Sequence, residues 1–226
     1  MLIPGADGAV NLVKVRQIVL AILLLLIGSV PVESIAFNEQ DLEKLKLTNR
    51  CEGCDLSSAD LTKADLRKAN LDFADLSFAR LNEAKLGKAS MMKARLEEAD
   101  LSDANLKEAN LFQAYMVSAV LIKANLKNAN LEGANLSLAN LTKADLGGAN
   151  LYMTVLVKAN LTKADLAKAN LYDANLIGAD LTKAKLVKAN LTGTNLTGAI
   201  LKGIKKRKAI FCATVMPDGK RNNSDC

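Results

Sequence analysis

The sequence predicts an all-β solenoid, and two regularities carry that prediction. A Leu or Met stands at every fifth position from Leu56 to Leu201, thirty times in succession. Two residues before each repeat's Leu comes Ala, from Ala59 to Ala199, replaced only by Thr154 and Thr194. A period of five suits no single regular element. Along an α-helix, five residues advance about 140° beyond a full turn, which would spread the Leu over every face. In a straight strand five is odd, so successive Leu would point to opposite sides. The chain must therefore turn a corner in every repeat.

The unit reads Ala, then Asn or Asp, then Leu, then two variable residues, as in Ala159-Asn160-Leu161-Thr162-Lys163. Ala and Leu are two apart, so both face one side of an extended segment and the residue between them faces out. The last two positions carry Thr, Ser, Lys, Gly and acids, as solvent-facing corners would. One coil cannot bury its own Leu, and stacking of coils makes the core continuous.

Runs such as Ala59-Asp60-Leu61-Thr62-Lys63-Ala64-Asp65-Leu66 are similar to the motif of the pentapeptide-repeat family, and the resemblance covers residues 51–201. It implies a right-handed quadrilateral β-helix with four sides and twenty residues per coil. Thirty repeats then make about 7.5 coils, a column roughly 35 Å long at ~4.8 Å per coil. The family shares a shape and not one activity, so the resemblance alone assigns no function.

The start of the chain speaks of location. Lys14 and Arg16 precede an apolar run from Ile18 to Ile27, followed by Gly28, Pro31 and Ser34-Ile35-Ala36. This order predicts an export signal over residues 1–36, cleaved after Ala36. The alternative is an uncleaved inner-membrane anchor. However, the stretch from Ile18 to Val30 falls short of the ~20 apolar residues a spanning helix needs. A cleaved chain would begin at Phe37 and reside in the periplasm or the thylakoid lumen.

Residues 37–50 read as an N-terminal cap. Asn38-Glu39-Gln40-Asp41 resembles a helix start with a capping-box arrangement. Leu42 and Leu45 then give a short apolar stripe to lay over the first coil. Next come Cys51 and Cys54, which take a Leu-type and an Ala-type slot when the register is run backwards. Cys212 and Cys226 lie at the other end, in a basic C-terminal cap spanning 202–226. There Lys206 breaks the Leu register and Met216-Pro217-Asp218-Gly219 signals a turn, so a small hairpin is expected.

The cysteines admit a redox dithiol or half a zinc site at Cys51 and Cys54, or two local disulfides that staple the ends. The chain has no His. A straight column separates the two pairs, which leaves Cys51–Cys54 with Cys212–Cys226 as the workable pairing of the three. Exported cyanobacterial pentapeptide-repeat proteins look similar at both ends, in the Cys51 to Leu56 entry and the Phe211 to Gly219 exit.

Charge limits the partners. Residues 37–201 hold 21 Lys and Arg against 20 Asp and Glu, so the column is nearly neutral and the excess sits in the tail. Some members of the resembled family protect DNA gyrase by imitating the charge of duplex DNA. Such mimicry needs a strongly negative column, so no nucleic-acid role is expected. Membrane contact is expected only through an uncleaved N-terminus or the basic tail. Lys123, Lys143, Lys163 and Lys183 are twenty apart and should stack into one column. This is either a track for anions or acidic lipid headgroups, or a solvated ladder neutralised by Asp145 and Asp165.

Tyr115, Val117, Val120, Leu138, Val155 and Val157 occupy outward slots in neighbouring coils and form the candidate patch for an unknown protein partner. Tyr152 and Tyr172 are expected to stack as an aromatic ladder. Enzyme chemistry finds no support: without His there is no Ser-His-Asp triad, and the acids alternate with Lys at repeating exposed slots. No cofactor or metal is implied. The sequence therefore predicts a non-catalytic exported scaffold or protein-binding rod, monomeric. The alternatives are a DNA-mimicking topoisomerase-binding protein and a membrane-tethered redox protein using Cys51 and Cys54.

Overall fold

Backbone hydrogen bonds show how each repeat satisfies its own polar groups. The structure, a computed structural model, describes residues 37–226; the candidate export signal at 1–36 lies outside the described residues. In the repeat centred on Leu136, the Leu136 N–H donates to the Val155 carbonyl at 2.7 Å, and the Leu138 N–H to Val157 at 2.9 Å. Ala139 N–H closes the corner onto the Leu136 carbonyl at 3.1 Å. The Asn140 N–H reaches back one coil to Ala119 at 2.9 Å. That leaves the Ser137 N–H, which donates to the Asn135 side-chain oxygen at 3.1 Å. The Asn or Asp that precedes most of the Leu is thus explained: its carboxamide or carboxylate accepts the one corner N–H that the ladders leave over.

The second corner residue takes a positive φ in almost every repeat, 61° at Leu138 and 60° at Lys163, for example. A corner that tight needs the left-handed region, and it recurs with ordinary L-residues because two flanking ladders hold it. At Gly193 (φ 70°) there is a second constraint, since an added Cβ would collide with the Asp173 carboxylate.

Every fifth residue from Arg50 to Asn195 forms a parallel bridge with the residue twenty further on. The chain thus builds four ladders, named here by their residues Asp60, Asp65, Asn70 and Asp75. Regular strands are rare because a corner every five residues leaves only one bridging residue per side. On the Asn70 ladder the amides of Asn130, Asn150 and Asn170 each donate to the Asn one coil back, at 3.1 Å. Such amide stacks add side-chain bonds to the backbone ladder.

The core is the inward row of Ala and Leu, almost all fully buried. Thr154 and Thr194 replace Ala there, and each hydroxyl donates to a Leu carbonyl, Leu131 at 2.8 Å and Leu171 at 2.7 Å. A buried hydroxyl is tolerated because it has that partner.

Helix α1, Glu39–Thr48, starts at Asn38, whose side chain accepts from the N–H groups of Gln40 and Asp41. It ends at Asn49, with φ 55° and its N–H on Leu45. Leu45 is buried and Leu42 packs against the core. The reciprocal half of a capping box is absent. Asp41 instead turns its carboxylate to the Asp55 N–H, 2.9 Å away, and the Asn38 N–H donates to the Asp55 carbonyl at 3.1 Å. The first coil has no coil before it, so these edge groups must find partners outside the ladder.

The far end differs from the sequence expectation in one respect. The ladder runs past Leu201, through Lys185 with Lys205 and Asn190 with Ile210, to Asn195 with Val215. Phe211 stands in a Leu slot and Thr214 in an Ala slot, which carries the core on. Lys206 also falls in a Leu slot but is exposed, its ammonium 5.5 Å from the Phe211 ring. Strands β1 (Thr214–Val215) and β2 (Arg221–Asn222) pair antiparallel around a turn at Met216–Gly219. The Phe211 N–H is taken by the Asp225 carboxylate at 3.0 Å.

Candidate functional site

At the N-terminal end Cys51 and Cys54 are disulfide-bonded, with Cα atoms 5.2 Å apart and both residues buried. Cys212 and Cys226 are bonded likewise at the other end, Cα atoms 4.7 Å apart, in a more exposed setting. Among the described residues, Asp41, Cys51 and Cys54 offer three ligand atoms within 4.8 Å of one another. The two sulfurs are joined to each other and the carboxylate accepts the Asp55 N–H, so this group holds no open metal site. Among the same residues no helix is long and apolar enough to cross a membrane.

The six candidate patch residues fall on adjoining parts of the surface. Tyr115 and Val155 lie on the Asp75 ladder with Asn135 between them. Val117 and Val157 stand at the corner that follows, beside Leu138, and Val120 is on the next ladder round. Tyr115 and Leu138 are 51% and 56% exposed, while the four Val are half-buried. The structure adds Phe73, Phe78, Met153 and Ile177, each exposed on the same side. Tyr152 and Tyr172 pack with ring centroids 5.7 Å apart. Of the eight aromatic residues, only Phe37 and Phe211 lie elsewhere; the other six border the Asp75 ladder. Sorting residues by their place in a twenty-residue period would have found all of them.

Charge is segregated just as sharply. Of the twenty Lys and Arg from Lys63 to Lys205, sixteen lie on the Asp65 ladder or its two corners, with six acids. The rest of that surface carries four basic residues and eight acids. The Asp65 and Asp75 ladders are two corners apart, so a basic side and an aromatic side face away from each other.

The two acids expected to neutralise the Lys column do not. Asp145 pairs with Lys127 and Asp165 with Lys185, each at 2.9 Å. Lys185 sits directly across one coil spacing from Asp165, a shorter reach than the corner Lys offers. The Asp145 hydrogen bond and charge raise the Lys127 pKa. Burial pushes the Asp165 carboxyl up, but the hydrogen bonds from Lys185 and the Ala167 N–H outweigh it and hold the group below its ordinary value. Lys143, Lys163 and Lys183 have no carboxylate at salt-bridge distance among the described residues, while Lys123 has Asp103 at 3.9 Å. A shallow notch opens where Gly147 and Gly148 leave a corner bare, lined by Lys127, Asp145, Asp165 and Lys168.

The model of pentapeptide repeats matches the chain in eight copies, in segments running from residues 50–87 to 174–205. HetL, a pentapeptide repeat protein involved in heterocyst differentiation regulation from the cyanobacterium Nostoc sp. strain PCC 7120, is similar at 35% identity. The match covers 74% of this chain and 86% of that one, with a TM-score of 0.49. A second Nostoc pentapeptide repeat protein shares 37% identity over 42% of this chain and 70% of its own, TM-score 0.26. One from the Arabidopsis thaliana thylakoid lumen shares 28% over 53% and 69%, TM-score 0.27. No curated protein sequence matches the chain.

Proposed function

The chain belongs to the pentapeptide-repeat family, and from that premise we propose that it is an exported, non-catalytic rod that binds a protein partner along its aromatic side. Pentapeptide-repeat proteins fold as right-handed quadrilateral β-helices and include structural and protein-binding scaffolds. The finer architecture follows that pattern. The repeats at 51–201 give about 7.5 coils at ~4.8 Å each, the ladder carries on to Val215, residues 37–50 and the rest of the tail close the two ends, and 1–36 is the signal. The disulfides staple those ends. The buried setting of Cys51 and Cys54 argues against thiol exchange there, because the attacking sulfur needs access.

The observation that carries the reading is the collection of six exposed or half-exposed aromatics, with Leu138, Met153 and Ile177, along one side of a rigid column. Contiguous exposed apolar surface of this kind marks interaction sites, and Tyr is among the residues enriched at the few positions that dominate such interfaces. The basic side argues against imitation of duplex DNA, which requires negative charge all along the column.

A photo-crosslinker at position 138 tests this in intact cells. The expected result is one dominant cross-linked protein, lost when Tyr115 and Tyr172 are changed to Ser. The cross-linked chain should begin at Phe37. Diffuse labelling that the Ser changes leave untouched would refute the binding side, and a cross-linked chain beginning at Met1 would refute cleavage of the signal.

A further inference from the structure

We propose that the C-terminal half of the basic side is a docking face for the anionic headgroups of a lipid bilayer. The first coils fill the same slots differently. Stacked residues across a coil spacing repel when their charges match. The early coils mix signs in these columns: Lys63 pairs with Glu83, Lys88 with Glu108 and Asp103 with Lys123, each pair twenty residues apart, although Glu83 precedes Asp103 and Lys68 precedes Lys88 in the same stacks. The chain thus places acids in both columns over its early coils.

From residue 140 onward it stops doing so. Lys143, Lys163 and Lys183 follow one another up the corner before the Asp65 ladder, all exposed. Lys168, Lys188 and Lys208 do the same up the corner after it. None of the six has a carboxylate at salt-bridge distance among the described residues. Between the two columns, Lys185 is bridged to Lys205, so the tail's charge is the continuation of this face and not a separate arm. The two acids within it are already occupied by Lys127 and Lys185. The result is an array of ammonium groups at ~4.8 Å steps along two parallel columns.

A repelling array of that kind is matched by a dense, laterally adaptable set of anions, which a bilayer surface supplies. The side-chain chemistry favours lipid over nucleic acid. The six mid-column aromatics all border the opposite ladder, so no base-stacking platform lies on the basic side. Lys predominates there, and Arg, the residue suited to bidentate phosphate and base contacts, appears at Arg67 and Arg207. Compact Lys charges beside an anionic surface are the usual electrostatic means of peripheral attachment. The arrangement also leaves the aromatic side turned away from the bilayer and open to a partner.

The test is partition of the full chain onto vesicles of phosphatidylcholine alone and of phosphatidylcholine mixed with phosphatidylglycerol. The readout is the ratio of the two. The apolar contribution of Ile18 to Ile27 is common to both lipids and cancels, and that of Lys14 and Arg16 is the same in every variant compared. A large excess on the anionic vesicles is expected, lost at high salt, where the screening length falls to about 3 Å at 1 M. Changing Lys143, Lys163 and Lys183 together to Gln should reduce the excess about a hundredfold, at about fivefold for each Lys. Changing Lys93, Arg95 and Lys158, which lie outside the basic side, should leave it intact. A ratio near one, an excess that survives the triple change, or tighter binding to duplex DNA than to the vesicles would overturn the proposal.

Discussion

Reduction of the two disulfides should loosen the ends of the column and spare its middle. The Cys51–Cys54 bond spans a sequence separation of 3 and Cys212–Cys226 one of 14. In the chain-entropy account, loops of those sizes correspond to roughly 2 and 3 kcal/mol of lost stabilisation. Opening of the first coil should then rise about thirtyfold, and of the last coil about a hundredfold or more. Because each coil contacts only its neighbours, neither loss should reach the central coils. Burial sets the order of events: Cys51 and Cys54 are 0% and 3% exposed, whereas Cys226 is open to solvent, so Cys212–Cys226 should be reduced first. Hydrogen exchange followed by mass spectrometry reads this directly. Peptides from residues 45–60 and 205–226 should exchange faster after reduction, with those from 100–180 unchanged. Uniform acceleration along the whole column would refute the locality argument. A peptide map joining Cys51 or Cys54 to Cys212 or Cys226 within one chain would refute the pairing.

Two further outcomes are expected. Ala134→Leu or Ala164→Leu should lower stability by about 1–3 kcal/mol through overpacking, while Asn135→Ser, beside the first, costs less; both Ala are 0% exposed, and equal thermal melts would contradict the inward assignment. Acid should destabilise the rod, because Asp60, Asp65, Asp165 and Asp180 all hold pKa values lowered from 3.8. A depressed carboxylate contributes stability that is complete above the unfolded pKa and is lost as pH falls through the folded one. Melting temperature should thus be level well above pH 3.8 with respect to these groups and decline as pH falls through that value and below, and a rise on acidification would refute the assignment.

How much of this was legible beforehand follows from the range over which each feature is encoded. The inward Ala and Leu rows are written in every five residues, and the buried column reproduces them. Thr154 and Thr194 show as breaks in the Ala row, yet their hydroxyl partners lie 23 residues away and only the coil brings them together. The extension of the ladder to Val215 was hidden because Phe211 stands in for Leu and Lys206 interrupts the count. Asp41 and Asp225 look like ordinary helix and tail acids. Their work on the Asp55 and Phe211 N–H groups spans 14 residues in each case and follows no local motif. Charge misled in a different way. A nearly balanced sum of basic and acidic residues says nothing of how they are distributed around the axis, and here the balance conceals two unlike sides.

The twenty-residue ladder has a consequence for how such a chain can lengthen. Gain or loss of a single repeat preserves every inward Leu, so the core tolerates it, but everything downstream is rotated by one ladder. An event between residues 152 and 163 would take Lys163 off the corner that holds Lys143, and Tyr172 away from Tyr152. Only a change of four repeats, or a multiple of four, restores the azimuth. A lineage that kept its surface chemistry aligned must therefore have grown in whole coils or compensated each partial step, whereas a lineage indifferent to that alignment was free to grow by fives.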